Sequence, residues 1–320
     1  MGYGTYGTYG DEAGGSQGAV YFDALQCLDN HQTSHGLRPW TTVNVEQGWL
    51  MAHQGEIRIE APIGSLKTDE VFTQEPEEAR AFFVKHDMEH LADDIGEMGP
   101  DDYVAAVYNQ INSVWNFVGK RKRVYTKQGE EFESGELPGA TVFRGIPGYA
   151  EDVGSVQAGE LTYFFAVADA KTLPLKGTEL FAAVKTLVES TSEAETTITG
   201  TEDENVSIQI PAVDDVFASD IGWLEGMHTS NAAGRKYRIK KAGQLIRLRL
   251  NHRGAKVKVG AFVRGAFERI NGPILTIDKT FVIAIVCPKQ NNKLLGAFLA
   301  TPGTWVKPGS PEARKLDEEE

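Results

Sequence analysis

The chain is short of cysteine, of positive charge and of long apolar runs, and each shortage narrows what it can be. Two cysteines in 320 residues, Cys27 and Cys287, allow one pair or two free thiols and so do not fix the redox compartment. Cys287 lies in an apolar run and reads as a small packed hydrophobe. Lysine and arginine number 32 against 45 aspartates and glutamates, and the resulting charge of −13 argues against general affinity for nucleic acid or an anionic membrane. No apolar run approaches the roughly 18 residues of a spanning helix. The N-terminus lacks the basic start and apolar core of a secretion signal, which favours a cytoplasmic protein over an exported one. There is no glycine-rich phosphate loop after a strand, no nucleophile elbow and no His-Glu-x-x-His order. Neither an enzyme, a cofactor nor a bound metal is therefore expected.

What remains is a chain that is 41% hydrophobic, long enough for a substantial core and without an internal linker. Residues 1–18 are a low-complexity Gly/Tyr-rich segment, with Gly-Thr-Tyr repeated, whose tyrosines can order against a protein partner. One domain is expected over 19–304 and a charged, solvated tail over 305–320. Helices are expected over Val20 to Leu28, over Glu75 to Glu97 with Pro76 in the first turn, and over Thr178 to Val188 with a threonine cap. His86 and His90 share the second of these at i, i+4, but a charged helix face accounts for them more simply than zinc. Lys120-Arg121-Lys122-Arg123 reads as a solvated turn, and Trp49, Trp115 and Trp223 as core anchors. Asn205-Val206-Ser207 fits a glycosylation acceptor only if the chain is exported.

The most informative stretch is Gly254 to Pro273, which alternates like a strand yet is punctuated like a loop. Ala255, Val257, Val259, Ala261 and Val263 take one face, and Lys256, Lys258, Phe262 and Arg264 the other. Gln244 to Asn251 precedes it as an alternating strand. The runs Thr280 to Pro288 and Lys293 to Pro302 follow as a hairpin joined by Lys289 to Asn292.

These residues resemble the C-terminal end of the serpin family, in which a main-sheet strand passes a hinge glycine into a reactive-centre loop and then a closing hairpin. Gly254 is similar to the hinge glycine. Asp278-Lys279-Thr280-Phe281 is similar to the family's D-H-P-F, and Gly296 to Pro302 to its terminal G-R-x-x-x-P, one residue longer. Upstream, Phe72 with Glu75 to Arg80, Tyr103 to Trp115, Val213 to Phe217 and Trp223 to Met227 resemble family segments in the family's order. The resemblance implies an α+β fold with a large mixed β-sheet, flanking helices and an exposed loop.

It also implies a function. An inhibitory serpin offers its loop to a serine or cysteine protease, is cleaved to an acyl-enzyme, and inserts the loop into the main sheet before deacylation. The hinge would be Gly254, Ala255, Val257 and Val259. Counting the family's interval from Gly254 places the scissile bond at Glu268-Arg269, or one residue on at Arg269-Ile270, with Arg264-Gly265 a third candidate. Each of these is otherwise an ordinary solvated loop charge. The chain departs from the pattern in several places. His252 replaces an acidic residue, valines replace hinge alanines and could slow entry, and only 40 residues precede Thr41. At the sheet opening, Val107 and Gln244 stand where the family has Asn and His, with Asn109 two residues along on the face of Val107. The alternative is a non-inhibitory serpin-fold protein used for binding or assembly, with the Gly/Tyr repeat and acidic tail as contacts.

Overall fold

A computed structural model describes residues 17–99, 102–144, 150–168, 175–193, 196–198, 206–217, 219–255 and 274–318. In chain order the first half contains β1 (Gln17–Ala19), α1 (Phe22–His35), α2 (Val45–Ala52), α3 (Gln54–Ile57), β2 (Leu66–Thr73), α4 (Pro76–Lys85) and α5 (Glu89–Asp94). Then follow β3 (Val104–Ile111), β4 (Ser113–Val114), β5 (Lys120–Tyr125), β6 (Glu131–Pro138), β7 (Thr141–Arg144), β8 (Ala150–Ala158) and β9 (Leu161–Ala168). The second half adds α6 (Gly177–Glu193), β10 (Thr196–Ile198), β11 (Ser207–Pro211), β12 (Val213–Phe217), β13 (His228–Ser230) and β14 (Lys236–Arg238). It ends with β15 (Ile246–Leu250), β16 (Gly254–Ala255), β17 (Ile274–Thr276), β18 (Phe281–Cys287), β19 (Lys293–Ala300) and α7 (Pro311–Glu318).

The expected closing hairpin is the centre of the molecule. Every residue of β18 and β19 is buried, which is why both runs, Lys293 apart, are apolar rather than alternating. They pair from Phe281 with Ala300 to Cys287 with Lys293, across a turn in which Asn291 and Asn292 adopt positive φ. Around them a seven-stranded sheet runs in the order β1-β19-β18-β9-β8-β7-β10. Helix α6 covers it with Leu180, Phe181, Val184, Leu187 and Val188. A second sheet, β17-β11-β6-β5, contains the parallel pair β11 and β17; the other ladders among the described residues are antiparallel.

Two further ladders are separate from both. Strands β2 and β3 pair along their full length, from Leu66 with Ile111 to Thr73 with Val104. Strands β12, β15, β16 and β4 form a separate ladder. Since β4 follows β3 after one residue, Asn112, the two ladders meet at β4.

Several expectations change. The helix expected over Glu75 to Glu97 is two, because Asp87 enters the left-handed region at φ 59 between α4 and α5. His86 thereby caps α4 while His90 belongs to α5, and they no longer share a helix face. His86 Nε2 lies 2.9 Å from Asp69 Oδ2 and its ring stacks on Tyr108. Lys120 to Arg123 form not a turn but β5, where Arg121, Lys122 and Arg123 pair with Glu133, Glu136 and Glu131 across the ladder. The C-terminal segment is charged but not wholly solvated. Trp305 and Val306 are buried, and Ala313 and Leu316 of α7 pack on Ala212 and Val306. Residues 1–16, with the Gly/Tyr repeat, lie outside the described residues, as does Asn205; Ser207 of that sequon is buried in β11. Among the described residues no helix is long and apolar enough to cross a membrane, and no group of three His, Cys, Asp or Glu side chains could hold a metal.

Candidate functional site: the hinge and the sheet opening

After β15 the chain reverses within Asn251-His252-Arg253-Gly254. The Asn251 amide donates to the Gly254 carbonyl at 3.0 Å, and Asn251 Oδ1 accepts from the amides of Arg253 and Gly254. The side chain thus replaces backbone partners that a tight turn leaves unused. Gly254 and Ala255 then form β16, wedged between two strands: Ala255 pairs with Leu250 of β15 and Ser113 of β4, and Gly254 with Val114. Only glycine fits at 254, because a Cβ there would lie 2.1 Å from the Ser113 carbonyl oxygen. Ala255 is buried.

The turn is seated as firmly as the strand. Trp115, at the end of β4, donates its amide to the Arg253 carbonyl and its indole N–H to the Asn251 carbonyl at 2.8 Å. Its ring meets Tyr163 edge-on, and the Tyr163 hydroxyl is 2.7 Å from Ser113 Oγ. His252 is buried where two glycines leave room. A Cβ at Gly119 would lie 2.3 Å from the His252 carbonyl oxygen, and one at Gly135 2.7 Å from its Cα. The residue that departs from the family's acidic one is therefore part of a packed corner.

Of the sheet-opening residues, Val107 and Asn109 lie on β3, opposite Glu70 and Thr68 of β2. Asn109 Oδ1 accepts from Thr68 Oγ1 at 2.7 Å. Gln244 lies just before β15. Its Nε2 donates to the Val20 carbonyl at 2.9 Å and to Asp23 Oδ2 at 2.7 Å, while its Oε1 accepts from Ser219. One helical turn beyond Asp23 the same helix carries Cys27, and α1 packs on β3. Helix α1 therefore touches both ladders, β3 by packing and the approach to β15 through Asp23. Among the described residues no ladder joins β3 to β15 directly.

The electrostatics of this tether are unusual. Asp23 Oδ1 is closed to solvent and has no hydrogen-bond partner among the described residues. Burial raises the Asp23 carboxyl above its ordinary value, opposed by hydrogen bonds from Gln244 and the Ala24 backbone. Burial also raises the Cys27 thiol, helped by the charges of Asp23 and Glu70. Sequence reasoning named Val107, Asn109 and Gln244 as sheet-opening candidates and did not name Asp23 or Cys27 there. Their only signal is the i, i+4 spacing on one helix face, which by itself names no partner. Of the residues expected to form a hinge, Gly254 and Ala255 form β16, whereas Val257 and Val259, like the cleavage candidates Arg264, Glu268, Arg269 and Ile270, lie outside the described residues.

No known family model matches this sequence, and no curated protein matches it either. Among solved structures the chain is similar to mouse protein-Z dependent protease inhibitor, at 10% identity and TM-score 0.52, over 89% of this chain and 90% of that one. It is also similar to human thyroxine-binding globulin, at 11% identity and TM-score 0.48, over 87% and 84% of the two chains. A third structure, a serpin from the trematode Schistosoma haematobium, matches at 12% identity and TM-score 0.45, over 87% and 78%. The likeness is one of fold, and the α+β serpin-like fold expected from the sequence is the one observed.

Proposed function

We propose that this serpin-fold protein inhibits a serine or cysteine protease by being cleaved in the loop after Ala255 and inserting that loop between β3 and β15. The observation that carries the reading is β16, where Ala255 is paired on both sides and Gly254 with Val114. Being antiparallel to both β15 and β4, β16 heads back along β15. A chain continuing in its direction would run between β15 and β3, whose facing edges have no ladder partner among the described residues. Alternation would turn Val257 and Val259 to the face already taken by buried Ala255. Each ladder hydrogen bond so formed contributes about 1 kcal/mol net.

The protease supplies the chemistry. Its serine or cysteine attacks a loop carbonyl, the peptide C–N bond breaks as the ester or thioester forms, and the new amine leaves with the proton that the protease's base removed. The candidate bonds are Glu268-Arg269, Arg269-Ile270 and Arg264-Gly265. An arginine before the cut suits a protease with an anionic specificity pocket, and a glutamate one preferring acidic residues. This protein contributes no catalytic group, only a sheet that gains strand pairing faster than the acyl-enzyme is hydrolysed.

The tether on α1 favours a second reading, a non-inhibitory binding or assembly protein. Helix α1 holds Gln244 through Asp23 and packs on β3, which would resist separation of the two parts. Incubation with a protease panel, followed by denaturing electrophoresis and a melting curve, separates the two. A covalent complex and a higher melting temperature after cleavage support inhibition. Cleavage with neither overturns it, and mass mapping of the cut identifies the bond.

A further inference from the structure

Between Glu225 and Glu268 the sequence carries eleven lysines and arginines and no acidic residue, in a chain of net charge −13. The fold sorts the bases it describes. Lys240 pairs with Asp102, Lys241 with Asp94, and Arg247 and Arg249 with Asp214. Lys236 and Arg238 are exposed on β14, and no carboxylate among the described residues pairs with either. Strand alternation projects them from one face, and the hairpin register sets Arg238 opposite His228 and Lys236 opposite Ser230.

A groove of about 520 Å³ opens there, lined by Val43, Gly226, His228, Lys236, Tyr237 and Arg238. Gly226, at φ +88, draws two unlike groups onto one wall. A Cβ on it would lie 3.3 Å from a Val43 methyl and 3.7 Å from an Arg238 guanidinium nitrogen. Val43 is 57% exposed and Val45, beyond the Asn44 cap of α2, 83%. The surface therefore offers two cations at strand spacing, unpaired among the described residues, beside the uncovered Val43 side chain.

We propose that this groove binds an extended acidic peptide segment of a partner protein, with carboxylates two residues apart on Lys236 and Arg238 and a flanking apolar side chain on Val43. The spacing selects an extended peptide, because side chains two residues apart on any strand recur at about 6.6–6.8 Å, so both charge pairs form together. Val43 selects against a sulfated polysaccharide, which would match the charges and leave the valine methyl groups in water. A simple oxyanion would engage only part of the site. Single exposed ion pairs are weak, so binding depends on charge and apolar contact acting jointly. The groove is independent of the loop, and the inference holds whether or not the protein inhibits a protease.

The test is fluorescence anisotropy with the full chain and a labelled hexapeptide, Val-Glu-Thr-Glu-Val-Leu, at low and physiological salt. Saturable binding is expected. It should weaken at least tenfold in Lys236→Glu/Arg238→Glu and at least threefold in Val43→Ser. It should be unchanged in Lys67→Glu, which reverses an exposed charge on β2. Melting curves check that each variant is folded, and Lys236→Gln/Arg238→Gln replaces the reversal if that unfolds. The inference is overturned if wild type shows no saturable binding or if Lys67→Glu weakens it equally. It is also overturned if a heparin oligosaccharide or inorganic phosphate competes fully while Val43→Ser has no effect.

Discussion

A Cβ added to Gly254 would stand 2.1 Å from the carbonyl oxygen of Ser113, and the atom it meets belongs to backbone, so no rotamer change relieves the clash. The absence of a side chain at 254 is what lets the hinge sit between β15 and β4.

Gly254→Ala should therefore expel β16 while leaving the seven-stranded sheet intact, since no residue of β16 belongs to that sheet. A loss of about 2–4 kcal/mol is expected, in the range of backbone strain and lost strand pairing. Hydrogen exchange at the Ala255 amide and the urea midpoint report it. A variant with wild-type protection at Ala255 and an unshifted midpoint would contradict the tight seat.

Asp23 gives the tether a pH dependence of known sign. Its carboxyl is raised above the ordinary 3.8, chiefly by burial, so the folded chain holds the proton more tightly than the unfolded one. The stabilisation from this group is complete below that ordinary value and is lost as pH rises through the raised one. Asp23→Asn keeps an oxygen to accept from Gln244 and removes the charge. It should match wild type near pH 3.5 and exceed it by about 1–3 kcal/mol at pH 8, the scale of a buried unsatisfied polar group. Urea midpoints across that window check it, and a difference that does not grow with pH refutes the assignment.

What was legible beforehand follows from which signals are local. Alternation at Gln244 to Asn251 and the unbroken apolar runs around Cys287 were readable because periodicity is set residue by residue. The break at Asp87 was not, because Glu75 to Glu97 keeps helical composition through it and only a backbone turn to positive φ divides α4 from α5. Gly254 was singled out by its resemblance to a family position, and what requires glycine there, the Ser113 carbonyl across the ladder, is a long-range contact. Lys120 to Arg123 looked like a solvated turn because their glutamate partners sit on β6, out of sequence register with them. Asp23 became intelligible only once Gln244 was placed beside α1.

The C-terminus shows the same limit and yields a prediction. Leu316 begins the acidic Leu-Asp-Glu-Glu-Glu end, whose charge hid the apolar spacing of Ala313 and Leu316. Both pack on Ala212 and Val306, beside a backbone junction in which Val306 donates to the Ala212 carbonyl and accepts from the Glu133 amide. Leu316→Ala should destabilise the fold by about 2–3 kcal/mol, as expected for a buried leucine at the periphery of a core. Glu312→Gln, on the same helix, should change little. A thermal melt in which the two variants behave alike would mean that α7 does not dock in solution.

The two separate ladders make the last prediction, because their two inner edges differ from every other edge in what they await. Strand β3 pairs only with β2, and β15, apart from Leu250, only with β12, so their facing amides have no ladder acceptors among the described residues. Buried or half-buried donors without partners are costly. If the loop is a spare strand for this interval, cleavage within it should supply the acceptors. Hydrogen exchange before and after limited proteolysis reads this directly. Alternate amides of β3 and of Ile246–Leu250 should slow by at least tenfold on cleavage, with little change across β18 and β19, whose amides are already paired. Uniform protection of all strands would indicate general stiffening instead. Unchanged exchange at both inner edges, in a chain cut after Ala255, would show that the interval does not receive a strand, and the inhibitory reading would fall with it.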